Sequence, residues 1–242
     1  MIMPEIRLNK YLAENAGVSR READRLIEKG SVSVNGKTAV LGMKIDDTDD
    51  KVELCGQSIS KRKASHFFAV NKPVGYISST VKQTENDRLV TELVKSSVRL
   101  FPMGRLDKDS EGLIILTDDG DLMDKVLRAG NGHEKEYEVG LSSDITDSDI
   151  SVIAAGGLDI GEGRLTKPCR ITRIDKRQVR VVLKEGMNRQ IRKMFDLRGY
   201  EVKRLKRIRF LNIRLGEMKP GEYRVLPADE IETMRKEAEG RE

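Results

Sequence analysis

The chain has 242 residues, enough for two domains or a domain with a small appendage, and Lys and Arg exceed Asp and Glu by five. The apolar share of 38%, the charged share of 35% and a pI near 9.1 describe a charged surface that suits a polyanion partner. Cys55 and Cys169 lie far apart, His66 and His133 are isolated, and no apolar run is long enough to cross a bilayer; no disulfide framework, zinc site or membrane span is therefore expected.

Met1-Ile2-Met3-Pro4-Glu5 has no basic region followed by an apolar run, so no signal peptide is expected. With two unpaired cysteines, the expectation is a reduced, cytoplasmic setting. Ile6 to Ala13 reads as a short helix with Leu8, Tyr11 and Leu12 on one face, stopped by Gly17. Ser19 followed by Glu22 is a capping-box pattern opening a second helix, with Ala23, Leu26 and Ile27 inward and Gly30 at its end. Ser31 to Val34 alternates as a strand, Asn35-Gly36 is a hairpin turn, and Val52 to Leu54 is a later strand. Arg7, Lys10, Arg20, Arg21 and Arg25 lie on or beside these helices; such a face is either simply solvated or a cationic surface for phosphates.

This order of helix, turn, helix and Val-Ser-Val-Asn-Gly-Lys hairpin resembles the S4 (αL-type) RNA-binding domain over Arg7 to about Leu54. The resemblance implies that Arg20, Arg21, Arg25 and Lys37 contact RNA. Ser58 to Ser65 is polar and basic and reads as a linker.

Phe67 to Val70 reads as a buried strand that stops before Pro73, in the turn Asn71-Lys72-Pro73-Val74-Gly75. Lys72 either faces RNA or belongs to a tight turn. Asp87 to Lys95 reads as a helix with Leu89, Val90, Leu93 and Val94 inward. Then comes the most informative stretch, Gly104-Arg105-Leu106-Asp107-Lys108-Asp109-Ser110-Glu111-Gly112-Leu113, feeding the apolar run Ile114-Ile115-Leu116. By composition it is an ordinary turn before a buried strand. A carboxylate at the mouth of such a strand is also held rigidly, as a reacting group must be.

Asp118-Asp119-Gly120-Asp121 opens a helix from about Leu122 to Leu127. Lys135 and Tyr137 follow in a loop that runs into a strand. Thr146 to Ala154 reads as a helix; Leu165 to Cys169, Ile171 to Ile174 and Val179 to Leu183 read as strands. Lys184 to Phe195 opens a helix with Ile191, Met194 and Phe195 buried and Gly199 as its stop. Lys203-Arg204-Leu205-Lys206-Arg207 continues into a strand with Ile208, Phe210 and Ile213 inward; the one-signed run reads as an RNA track rather than a solvated face. Asp229 to Glu239 reads as a terminal helix.

The Gly-Arg-Leu-Asp loop, the Lys-x-Tyr strand and the Arg-Gln-Ile-Arg helix occur in the order seen in pseudouridine synthases, and together resemble the RsuA/RluB/RluE/RluF family of ribosomal RNA enzymes. Arg128-Ala129-Gly130-Asn131 before His133-Glu134-Lys135-Glu136-Tyr137 looks most like its RluF branch. The Asn-Lys-Pro-x-Gly turn and Tyr76 to Ser79 agree. The resemblance implies an α+β protein: an S4 domain over 1–60, a linker over 61–66, and a catalytic domain over 67–242 with a central, mainly antiparallel sheet. It implies Asp107 as the essential carboxylate, Tyr137 stacking on the base, Arg192 paired with Asp107, and Arg105 filling the gap left by a flipped base. Arg189, Lys203, Arg204, Lys206 and Arg207 would contact RNA, and Asp109 would be a loop or capping residue. Met187 stands where members often have Lys, at the cost of one cleft charge. No cofactor, metal or obligate protein partner is implied. Large-subunit rRNA is the expected substrate, with a tRNA anticodon stem-loop as competitor. Two rivals are a non-catalytic S4-type ribosome-associated protein and a glycosidic hydrolase using Asp107 and Asp109; alternate positions on one loop rarely straddle one bond.

Overall fold

The computed structural model describes residues 5–61, 65–128 and 132–239. The linker residues Arg62, Lys63 and Ala64 and the Ala129-Gly130-Asn131 part of the branch-specific motif lie outside them, as do the two ends of the chain. Contacts divide the chain into two compact units. One runs to Ser65 and includes Ser96–Arg99 and Asp118–Gly120; the other holds the remainder.

In the N-terminal unit, β1 (Ile6–Arg7) precedes α1 (Leu8–Asn15) and α2 (Arg20–Glu28). The first helix starts two residues later than its apolar spacing suggests because Ile6 and Arg7 pair with β4 (Lys44–Ile45). Ser19 caps α2 by accepting from the Glu22 backbone N–H at 3.1 Å, a contact worth about 1 kcal/mol. Strands β2 (Val32–Val34) and β3 (Lys37–Thr38) form the expected hairpin, with Asn35 and Gly36 at φ of 52° and 75° in the left-handed conformation that a tight turn needs. Strands β5 (Val52–Leu54) and β6 (Gln57–Ile59) complete a four-stranded sheet. Leu8, Tyr11, Leu12, Ala23, Ile27, Val32 and Val34 close its core. Arg20, Arg21, Arg25 and Lys37 are all exposed.

The second unit is built on a nine-stranded sheet. Its main path runs β13 (Arg170–Arg173), β14 (Gln178–Leu183), β12 (Lys135–Leu141), β15 (Val202–Phe210), β11 (Glu111–Thr117), β7 (Phe67–Lys72) and β17 (Tyr223–Val225). Strand β10 (Phe101–Met103) pairs with β11, and β16 (Ile213–Arg214) with β15. Among the described residues every pairing in this sheet is antiparallel except β11 with β15, which covers only Glu111↔Lys206 and Gly112↔Arg207. The sheet is therefore mainly antiparallel, in an α+β unit. Helices α3 (Gly120–Leu127), α4 (Asp147–Ala155), α5 (Gln190–Asp196) and α6 (Ala228–Glu239) accompany it. Phe67, Ala69, Leu113 and Ile115 pack with Leu122 and Val126 of α3 and Met234 of α6.

Three local expectations give way. Residues 87–95 form no α-helix. Arg88–Leu89 (β9) pairs in parallel with Tyr76–Ile77 (β8), and only a 3-10 turn, Val90–Leu93, follows. The Asp87 carboxylate accepts from the Gln83 and Thr84 backbone N–H groups, which stops a helix from starting there. Leu165 to Cys169 is not a strand; a single bridge joins Leu165 to Asp159. Helix α5 begins at Gln190 rather than near Lys184, because Arg189 sits at φ 49°, outside the right-handed region.

Candidate active site

One cleft of about 780 Å³ gathers the three motifs. It is lined by Arg105 and Asp107 from the loop after β10, Lys135 and Tyr137 from β12, Glu185 to Arg189 ahead of α5, and Leu205, Arg207 and Phe210 from β15. One edge of β11 is shared: β15 pairs with its first two residues and β10 with its last three. Residues of both β10 and β15 line the cleft.

The Gly104–Gly112 loop is held from several sides. Gly104 takes φ 83°, where a side chain would be strained. The Ser78 hydroxyl accepts from the Leu106 N–H at 3.0 Å and donates to the Leu106 carbonyl at 2.9 Å, fixing the residue beside Asp107. The Gly75 N–H donates to the Lys108 carbonyl at 2.7 Å. Lys108 Nζ reaches Asp87 at 3.0 Å, and these bonds hold the Asp87 carboxyl down at about 2. Motif spacing alone gave no sign of the roles of Ser78 and Asp87.

Asp107 is partly exposed, and among the described residues its carboxylate accepts no hydrogen bond. Its one ion pair is to Arg189 Nη1 at 3.8 Å. The stronger bonds of that arginine go to Asp109: Nη1 to Oδ1 at 3.1 Å and Nη2 to Oδ2 at 3.0 Å. Arg192 does not pair with Asp107 as expected. Its Nε lies 3.4 Å from Asp109 Oδ2, its Nη2 donates to the Asp109 carbonyl at 3.0 Å and to Ser110 Oγ at 3.5 Å, and its Nη1 donates to the Val202 carbonyl at 2.7 Å. Asp109 is thus the ionic centre of the loop, not a cap. Burial pushes its carboxyl up, but the Arg189 bonds and the Arg192 charge outweigh that and hold it below the usual value.

Two residues expected to contact RNA are buried instead. Lys72 is fully buried, and its Nζ donates to the Pro73 carbonyl at 3.0 Å and the Tyr76 carbonyl at 2.8 Å. Burial lowers it to about 8, Asp109 and Asp107 oppose that shift, and Arg207 adds to it. The strand β7 lies between β11, whose Gly112 pairs with Lys72, and β17, which pairs with Phe68 to Val70. Arg207 is 1% exposed; its Nε donates to the Leu113 carbonyl at 2.6 Å and its guanidinium stacks 5.2 Å from the Phe210 ring centre. Lys203 and Arg204 are exposed and paired with Glu201 and Glu111, while Lys206 is half-buried.

Strand alternation aims Lys135 and Tyr137 into the cleft, and Glu136 away from it. Glu136 and Glu134 are taken up by Arg209 at 2.7 and 2.8 Å. Tyr137 is buried beside Arg207 in the neighbouring strand, at a bulge that leaves Ile208 without a β12 partner. Lys135 donates to the His133 carbonyl at 3.3 Å; burial and then Arg207 lower it to about 8, against Glu185. Glu185 accepts from the Gln190 side chain at 2.6 Å and the Lys167 N–H at 2.9 Å. The site is an open-mouthed slot with a carboxylate on a fixed loop, an aromatic wall and buried cations, suited to a planar base on a ribose. Among the described residues no group of His, Cys, Asp or Glu is placed to hold a metal ion, and no helix is long and apolar enough to cross a membrane.

Comparison with known proteins agrees with this geometry. Residues 66–197 match the RNA pseudouridylate synthase family, and residues 6–51 match the S4 domain. The chain is 46% identical over 228 residues to the Dual-specificity RNA pseudouridine synthase RluF of Escherichia coli (strain K12), covering 93% of this chain and 77% of that protein. It is 32% identical to the Ribosomal large subunit pseudouridine synthase B of Bacillus subtilis (strain 168), over 95% of each. A solved pseudouridylate synthase superposes with a TM-score of 0.69 at 30% identity, covering 95% of this chain and 99% of that one. The chain belongs to the RsuA-type pseudouridine synthases, RNA isomerases that carry an N-terminal S4 domain.

Proposed function

We propose that this RluF-like enzyme isomerises uridine in two RNAs, large-subunit rRNA and a tRNA stem-loop, with Asp107 as its essential carboxylate. The observation that carries the assignment to Asp107 is its carboxylate: it lies at the cleft, accepts no hydrogen bond among the described residues and has one cation 3.8 Å away. An uncovered carboxylate on a fixed loop is free to act on the substrate.

The reaction breaks the bond from uracil N1 to ribose C1′, turns the base, and joins C5 to C1′. C5 gives up its proton to solvent and N1 takes one up from it, so composition and mass are unchanged. A base inside a helix is out of reach, so the uridine flips out into the slot. Asp107 acts on the ribose, by attack or by proton removal. Tyr137 stacks on the base, and Arg105, exposed beside the cleft, fills the vacated place in the RNA. Arg192 holds the loop through Asp109 and Ser110. Arg20, Arg21, Arg25 and Lys37 on the S4 surface, with Arg189, Lys203, Arg204 and Lys206, supply phosphate contacts. We divide the chain into an S4 domain over 1–60, a linker over 61–66 and a catalytic domain over 67–242, and place the protein with its RNA substrates in the cytoplasm. Dual action is supported by the 46% identity to a relative whose name carries that description.

The test uses rRNA and tRNA transcripts carrying tritium at uridine C5. Each new C–C glycoside releases one tritium to water. Release from both RNAs is expected; release from one alone refutes the dual reading, and release from neither refutes the substrate assignment.

A further inference from the structure

The arginine nearest Asp107 is not bonded to it. Arg189 spends both arms of its guanidinium on Asp109, at 3.1 and 3.0 Å, and keeps only a 3.8 Å approach to Asp107. Its own backbone sits at φ 49°, a conformation strained for a residue with a Cβ and in need of a compensating hold. Arg192 meets the same Asp109 carboxylate at 3.4 Å but is also tied to Val202, Ser110 and the Asp109 carbonyl. Arg192 is therefore fixed whatever Asp109 does, whereas nothing but Asp109 among the described residues holds the Arg189 side chain away from Asp107.

A guanidinium fork on a carboxylate makes two charge-assisted bonds and covers both oxygens. Covered in that way, Asp107 would be a weak base and a weak nucleophile. In the structure the Asp107 carboxylate keeps only the 3.8 Å approach of Arg189 Nη1.

We propose that Asp109 is a positioning residue that engages the Arg189 fork and so keeps Asp107 uncovered. This rests on the reading of Asp107 as the essential carboxylate. Loss of the Asp109 charge lets Arg189 swing the short remaining distance onto Asp107 and mask it. The masking predicts a suppressor relation: deleting the arginine repairs the loss of the aspartate. A merely structural ion pair predicts the reverse, because the second deletion removes more of the same network.

The experiment measures single-turnover pseudouridine formation and RNA affinity for the wild type, Asp109→Asn, Arg189→Gln, the double variant and Asp109→Glu, with Asp107→Ala as a control and a thermal melt of each. Asp109→Asn is expected to lower the single-turnover rate by about 100-fold, the scale of a misplaced reacting group, with RNA affinity unchanged or raised. Arg189→Gln in that background should recover at least about a tenfold rate, and Asp109→Glu should be faster than Asp109→Asn. A double variant as slow as Asp109→Asn, or an Asp109→Asn enzyme as fast as wild type, overturns the proposal. Should Asp109→Asn fail to fold, Asp109→Glu decides: its rate is expected to fall with affinity retained and to recover on adding Arg189→Gln, and no recovery refutes the idea. An active Asp107→Ala would instead overturn the underlying reading of Asp107, whatever Asp109 does.

Discussion

Gly112 and Arg207 are partners in the short parallel pairing of β11 with β15, and a Cβ placed on Gly112 would lie 2.3 Å from the Arg207 carbonyl oxygen. Gly112 also takes φ 106°. The glycine at the end of the Asp107 loop thus exists because β15 must pass this close to bring Arg207 beneath the cleft. Gly112→Ala should destabilise the protein by about 3 kcal/mol or more, through backbone clash and strain together. A denaturant melt of the two proteins checks this; a loss under about 1 kcal/mol would contradict the close-approach account.

Ser78 grips Leu106 with both its donor and its acceptor capacity. Ser78→Ala leaves the Leu106 N–H and carbonyl without that partner and frees the residue next to Asp107. The expected result is a fall of about tenfold or more in kcat, with RNA affinity within about threefold of wild type. An equal fall in affinity and unchanged kcat would show that Ser78 serves RNA contact instead.

How much of this was legible beforehand follows physical lines. The S4 helices, the Asn35-Gly36 turn and β11 follow from local chemistry, because caps, turns and buried runs are written in neighbouring residues, whereas the joint role of Asp107 and Tyr137 was legible only through the family resemblance. Arg207 departs from expectation because the one-signed basic run around it reads as an RNA track. Period two from Leu205 would have put Arg207 on the inward side, but a charge there is tolerated only because the Leu113 carbonyl and the Phe210 ring receive it. Lys72 was open for a similar reason: its burial depends on strands more than 30 residues away in sequence. The Asp109 pairing was invisible, since nothing local says which of two loop carboxylates an arginine 80 residues on will choose.

Lys72 gives a stability prediction with a defined sign. Its folded value is about 8, below the 10.5 of an exposed lysine. Between these values the unfolded chain binds more protons, so stability rises with pH across that window and is lost as pH falls from 10.5 towards 8. Measured against Lys72→Met, wild type should gain stability steadily from pH 8 to pH 10.5. A difference that is flat or falls over this range would contradict the burial of a protonated amine at this point.

The S4 surface makes a separate prediction about binding. Arg20, Arg21 and Arg25 are exposed, and among the described residues only Arg25 of the three is ion-paired, to Glu22 at 3.3 Å. Changing all three to Ala should weaken RNA binding by about 10- to 100-fold and lower the slope of log affinity against log salt by about 2. The single-turnover rate at saturating RNA should be unchanged. An unaltered salt slope would remove these arginines from the RNA contact surface.

The most direct test of the account is to map pseudouridine by carbodiimide-blocked primer extension after treating unmodified large-subunit rRNA and tRNA with wild type and with Asp107→Ala. The account predicts a new stop with the wild type only, at a uridine in each RNA, while both proteins bind RNA alike. A stop that persists with Asp107→Ala would contradict the central claim and move the chemistry to another residue of the cleft.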